Sequence, residues 1–200
     1  MQSDSYIDMP RASTILDFWF GPPNDETYGQ FRKAWFKKDP TFDAQIRTQF
    51  LADYKAAAVG HYDSWRDQPR DCLALILLLD QFSRNLFRGQ PQSFATDPKA
   101  LEIAQYAIAD GYESALIPVE RFFLYLPLEH SENQDHQTHC VERFRALVKE
   151  APSLKHGLDY ALRHQTVIER FGRFPHRNQI LNRPNTPAEL EFLKQPGSRF

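Results

Sequence analysis

The sequence predicts an all-α protein of about nine antiparallel helices joined by short loops. Three observations predict it. Apolar residues recur every three or four positions, as in Phe42, Ile46, Phe50 and Tyr54, or Leu154, Leu158, Ala161, His164 and Ile168. Segment starts repeat one device: a residue suited to precede a helix, then proline at the first helical position, where its missing N–H costs nothing. No stretch alternates apolar and polar residues between hairpin turns, so no sheet is expected.

Helices are expected near residues 11–20, 28–37, 40–58, 69–87, 97–110, 118–126, 132–150, 153–171 and 187–194. The first two are placed by apolar spacing. Asp39-Pro40 opens the third and Gly60 closes it. Gln68-Pro69 opens the fourth, which carries the apolar run Cys72 to Leu79 and stops before Gly89. Asp97-Pro98 opens the fifth, with Leu101, Ala104 and Ile108 on one face and Gly111 at its end. Ile117-Pro118 opens the sixth, which Pro127 is expected to break. Ser131-Glu132-Asn133-Gln134 is a capping box for the seventh, with Ser131 as the cap. The eighth carries the stripe Leu154 to Ile168 and stops at Gly172. Thr186-Pro187-Ala188-Glu189 is a second capping box and opens the last helix. Each of the four glycines sits where the left-handed conformation would close a helix.

Two hundred residues suffice for one domain, 1–200, burying roughly 70% of the surface of the unfolded chain. No Pro/Gly/Ser linker or shift in composition divides it, and a strict 34-residue repeat is absent. Sixteen Phe, eight Tyr and three Trp point to a core built from large rings. The net charge of -2 argues against a protein dedicated to nucleic acid. The segment 163–183 nevertheless holds five arginines against one acid, Glu169, which keeps RNA or phosphate-backbone binding as one reading. Cys72 and Cys140 are the only cysteines and form no disulfide framework, which suits a reducing compartment. Met1 to Asp8 holds two aspartates and no apolar region, so no signal peptide is expected. The longest apolar run, Cys72 to Leu79, is far below the ~20 residues needed to span a bilayer. A cytoplasmic protein is expected.

The segment Phe171-Gly172-Arg173-Phe174-Pro175-His176-Arg177-Asn178 mixes aromatics, arginines, a histidine, a glycine and a proline. A solvated loop has no need of the aromatics, and a core has no need of the charges. Arg173, Arg177 and Asn178 are therefore candidates to bind an anion, since forked donors hold two oxygens at once. They would otherwise bond carbonyls at helix ends. Asp80-Gln81-Phe82-Ser83-Arg84-Asn85 repeats the mixture at the end of the apolar run. Asp80 and Arg84 stand four apart, either aiming the arginine at a ligand or fixing helix register as a buried pair. His130 lies just outside the expected cap and could act as an acid or base oriented by Glu132 or Glu129. His164 falls on an apolar stripe and fits a core position as well as a pocket. Glu132, His136 and His139 share a helix face, but no metal-binding pattern accompanies them and no metal or other cofactor is expected. There is no nucleophile elbow, Walker loop or dinucleotide fingerprint. Cys72 is expected to pack in the core, and Cys140 is not a partner of His139, because neighbours on a helix point about 100° apart.

Four blocks carry a resemblance: Ile15-Leu16-Asp17-Phe18-Trp19-Phe20-Gly21, Leu79-Asp80-Gln81-Phe82-Ser83-Arg84-Asn85, Leu126-Pro127-Leu128-Glu129-His130-Ser131-Glu132 with Gln137, and 171–178. With Thr186 through Leu193, they resemble the bacterial domain-of-unknown-function 924 family. Ser83 stands where that family usually has proline, and Asn182 where it usually has glycine. The resemblance implies a tetratricopeptide-like, right-handed superhelical bundle and brings no reaction with it. The expected function is a helical domain with a polar cleft built from Asp80, Arg84, Asn85, His130, Glu132, Arg173, His176, Arg177 and Asn178. It would bind an anionic small molecule or a peptide or protein partner. The alternative is a hydrolase- or transferase-type enzyme, with His130 or His176 as acid/base and arginines stabilising negative charge.

Overall fold

The computed structural model describes residues 5–198. Residues 1–4, the start of the segment read for a signal peptide, and residues 199–200 lie outside it. The described residues form eight α-helices and no strand. They are α1 (Ser5–Phe20), α2 (Pro40–Ala58), α3, α4 (Asp97–Ala109), α5 (Pro118–Glu129), α6 (Gln134–Glu150), α7 (Lys155–Phe171) and α8 (Pro187–Phe192). Helix α3 begins at Pro69–Ile76, widens into a π-helical stretch over Leu77–Phe82 and closes with Ser83–Leu86. Short 3-10 turns occupy several connections, including Pro91–Phe94 and Pro175–Arg177. Among the described residues no helix is long and apolar enough to cross a membrane.

Side-chain caps open three of the described helices, α2, α6 and α8. Asp39 accepts hydrogen bonds from the N–H groups of Thr41 and Phe42. Thr186 and Glu189 form a reciprocal capping box. Gly60, Gly89, Gly111 and Gly172 all have positive φ, between 65° and 94°. Four local expectations are corrected. Residues 28–37 are not a helix: Gly29 turns the chain at φ 79°, and only Lys33–Trp35 makes a 3-10 turn. Trp35 is anchored instead by its indole N–H, which donates to the Trp19 carbonyl at 2.9 Å. Ser131 is not the cap of α6, because Asn133 accepts from Asp135 N and His136 N. Asp97 is the first residue of α4 rather than its cap, and its carboxylate turns to Arg84. Pro127 lies inside α5, which runs on to Glu129. The Gln137 amide closes that end by donating to the carbonyls of Leu128, Glu129 and Ser131.

Burial follows the apolar stripes. The run Cys72 to Leu79 is buried on every side, and α1, α2 and α5 pack round it with Ile15, Trp19, Phe50 and Phe123. Trp19 and Trp35 stack at 6.1 Å, and Trp35 meets Phe123 edge-on at 4.8 Å. Helices α5, α6 and α7 are joined by short connections and packed against one another, so they alternate in direction. Gly157 lets α7 approach closely, since a Cβ there would lie 2.4 Å from Phe122 and 2.6 Å from Phe144. A second, smaller cluster joins Val167, Ile168 and Phe174 to Phe171 and Phe192, and so fastens 171–178 and α8 to the end of α7. Both cysteines are buried and outside any disulfide; burial pushes the Cys72 thiol up to about 12 and Cys140 well above its ordinary range, so neither supplies a thiolate.

Candidate functional site

Three segments distant in sequence meet at one place. The π-helical stretch of α3 contributes Asp80 and Gln81; such wide turns are frequent at functional sites. The end of α5 contributes Glu129 and His130. The 3-10 turn after α7 contributes His176 and Arg177. Three hollows adjoin there, and His130 borders all of them. One of 320 Å³ is lined by Gln81, Arg84, Asn85, His176 and Arg177, among others. One of 370 Å³ lies between Phe94, Asp97, Glu132 and Arg177. The largest, 520 Å³, has Glu129 and His164 among its lining and aromatic side chains round its mouth.

Asp80 is fully buried. His130 Nδ1 donates to its Oδ1 at 2.6 Å, and the Gln81 amide donates to its Oδ2 at 2.5 Å. Arg84 lies 3.9 Å from Oδ1. Burial would raise the Asp80 carboxyl, but His130, Arg84 and Gln81 outweigh it and hold it below the usual carboxylate range. An ionised carboxylate only accepts, so Nδ1 carries the proton and Nε2 is the ring atom left to serve a ligand. Among the described residues, His130 makes no other side-chain hydrogen bond.

Glu129 is also buried, yet its Oε2 has no hydrogen-bond partner. Its Oε1 lies 3.5 Å from His164 Nδ1, which donates instead to the Tyr160 carbonyl at 2.9 Å. Burial, reinforced by the Asp80 charge, pushes the Glu129 carboxyl up to about 8. It is therefore a neutral acid at pH 7. Burial pushes His164 and His176 down to about 3, with the Arg177 charge adding to the effect on both.

The arginines divide sharply. Arg84 is saturated: it makes two bonds to Asp97, at 2.7 and 2.9 Å, and a third to the Ser93 carbonyl. Asn85 and Arg88 both donate to Asp43 of α2. Arg177 is only 6% exposed, and its guanidinium makes no hydrogen bond among the described residues. Its Nε is buried without a partner, and its ion-pair contact, with Asp97 Oδ2, is at 3.6 Å. The group lies against the rings of Phe94 and Phe174, at 4.8 and 4.5 Å. Burial, together with Arg84, pulls its pKa down to about 10.

Of the residues predicted from sequence, Asp80, Arg84, Asn85, His130, His176 and Arg177 share the 320 Å³ hollow or touch its lining. Glu132, Arg173 and Asn178 brace the loop, and Glu132 also borders the 370 Å³ hollow. Glu132 is gripped by both forks of Arg183 and accepts from Phe174 N at 2.8 Å. Asn178 bridges Arg183 and Asn185. Arg173 is bidentate to Glu189 and donates to the Pro184 carbonyl. His136 contacts Ser131 and Gln105, and His139 accepts from Arg143; no group of three metal-ligating side chains occurs among the described residues. Sequence reasoning missed Asp97, hidden by its resemblance to a cap, and the aromatic–lysine stretch Trp35-Phe36-Lys37, which has the same mixed character as 171–178.

A family model described as "Bacterial protein of unknown function (DUF924)" matches residues 15–197. The chain belongs to the DUF924 family. A solved structure, that of the protein of unknown function ATU0120 from Agrobacterium tumefaciens, is similar to it at 38% identity. The match covers 94% of this chain and 98% of that one, with a TM-score of 0.80. Comparison with curated proteins gives no match. The blocks 79–85, 126–132 and 171–178, on which the resemblance read from the sequence rests, meet at the cleft.

Proposed function

We propose that this DUF924 protein binds a small organic anion in the cleft, with Arg177 taking the charged end. One observation carries the reading: a guanidinium only 6% exposed that makes no hydrogen bond among the described residues, its Nε fully enclosed and its carboxylate contact held at 3.6 Å. Burying a charge without hydrogen bonds costs several kcal/mol; the Asp97 contact at 3.6 Å is loose, and stacking on Phe94 and Phe174 returns only about 2 kcal/mol. An anion would supply two charge-assisted bonds at once and relieve the repulsion from Arg84. Lys37 at the edge of the same hollow adds to the attraction. The basic segment 163–183 does not favour RNA. Arg163 donates to the Gly197 carbonyl, Arg173 and Arg183 hold glutamates, and Arg177 is buried.

The test is calorimetric titration with inorganic phosphate and with acetate. Wild type is expected to bind at least one of them in the millimolar range, and Arg177→Met to weaken it more than tenfold. Because that change removes a buried charge that makes no hydrogen bond, while Asp97 keeps Arg84, the anion-free Tm should stay level or rise. A fall of several degrees with unchanged binding would make Arg177 a strut and end this reading.

The Asp80–His130 pair at 2.6 Å favours a second reading, in which His130 Nε2 moves a proton on the bound anion. Pyruvate in deuterated water offers a direct assay. Its methyl protons should exchange faster with wild type than with His130→Gln, and exchange at the protein-free rate would dismiss catalysis of this kind.

A further inference from the structure

The 520 Å³ chamber next to the Arg177 hollow is too large and too apolar for an inorganic anion. The two adjoin, sharing Phe36, Lys37, His130 and His164 along their border. Phe31, Phe36, Phe122 and Tyr160 wall the chamber. Phe36 is 53% exposed and Tyr160 46%, unusual for rings packed on a core, and Phe36 stacks flat on Phe31 at 5.8 Å. Glu129 is part of its lining, and the Oε2 of that residue is buried without a hydrogen-bond partner. A neutral carboxyl there donates an O–H and requires an acceptor. Lys33 and Lys37 also border the chamber, which matches it to an anion rather than a cation.

Resting on the reading of Arg177 as the anion holder, we infer that the ligand is an amphipathic carboxylic acid. Its carboxylate meets Arg177, a carbonyl in the middle accepts from Glu129, and an apolar, ring-sized group fills the aromatic chamber. N-acylated amino acids and compounds of like build satisfy all three requirements. The chamber's volume falls within the 300–1,000 Å³ range usual for small-molecule sites.

The probe is N-benzoylglycine, compared by calorimetry with acetate and with N-benzoylglycinamide, which lacks the charge. Wild type should bind N-benzoylglycine at least tenfold more tightly than either. Phe36→Ala, at a half-exposed position, should weaken N-benzoylglycine about tenfold while leaving acetate unchanged. Glu129→Gln keeps a donor and should retain binding within about threefold, whereas Glu129→Leu should not. If N-benzoylglycine binds no better than acetate, or Phe36→Ala weakens both alike, the amphipathic ligand is overturned while the Arg177 reading stands. If no anion binds, both fall.

Discussion

Asp80→Ala is expected to lose about 3–5 kcal/mol of stability, the usual cost of removing one partner from a buried charged cluster. Asp80 is fully buried, and three donors or charges converge on it. Its removal strands His130 Nδ1 and the Gln81 amide. Arg84 is less affected, because Asp97 still holds both forks. Asp80→Asn preserves the shape and accepts one bond in place of the charge, so a smaller loss of about 1–3 kcal/mol is expected. Urea unfolding measures both. A loss below about 1 kcal/mol for Asp80→Ala would mean that the pair is easily replaced by water and that His130 is not held by it. Pairing Asp80→Ala with His130→Ala in a double-mutant cycle isolates the coupling between the two.

The helical architecture was legible because it is written in local rules. Proline at the first helical position, glycine after the last and apolar residues at three-to-four spacing act within one segment. They located α2, α4, α7 and α8 to within a few residues. Residues 28–37 failed because Gly29 and the anchoring of Trp35 to Trp19 override an apolar spacing that is itself non-committal. The π-helical stretch in α3 was invisible, since one extra residue in a turn leaves no composition mark. At the site, residue types were legible but partners were not. Glu132 and Arg173 looked like ligand groups, and each is consumed by a long-range partner, Arg183 and Glu189. Arg177, of identical chemistry, is left unbonded among the described residues because its natural carboxylate, Asp97, is already taken by Arg84. That competition depends on packing between α3, α4 and the turn after α7. No sequence motif encodes it.

Stability should peak near pH 6.5 and fall on both sides, because Glu129, His164 and the half-buried His176 titrate against the solvent trend. Glu129, ordinarily near 4.5, is raised to about 8. Between these values the folded state retains a proton that the unfolded chain has lost, so its contribution declines as pH rises. His164 and His176, ordinarily near 6.5, are lowered to about 3. Below pH 6.5 the unfolded chain takes up protons that the folded state refuses, so their contribution declines as pH falls. Each unit is worth about 1.4 kcal/mol per group. From pH 6.5 to 8 Glu129 acts alone among these groups and removes about 2 kcal/mol. From pH 6.5 down to 4.5 the two histidines, joined by His139 and His156, which burial also lowers, outweigh Glu129. Below pH 4.5 Asp80, Glu132 and Glu189, all held low by their partners, add to the loss. Urea unfolding at pH 5, 6.5 and 8 in one buffer system measures the profile. Glu129→Gln should abolish the decline between pH 6.5 and 8 and leave the acid limb in place. A wild-type curve flat from 6.5 to 8 would mean that Glu129 is ionised in the folded protein. It could then donate no hydrogen bond to a ligand carbonyl, and the cleft would select for a cationic group at that end instead.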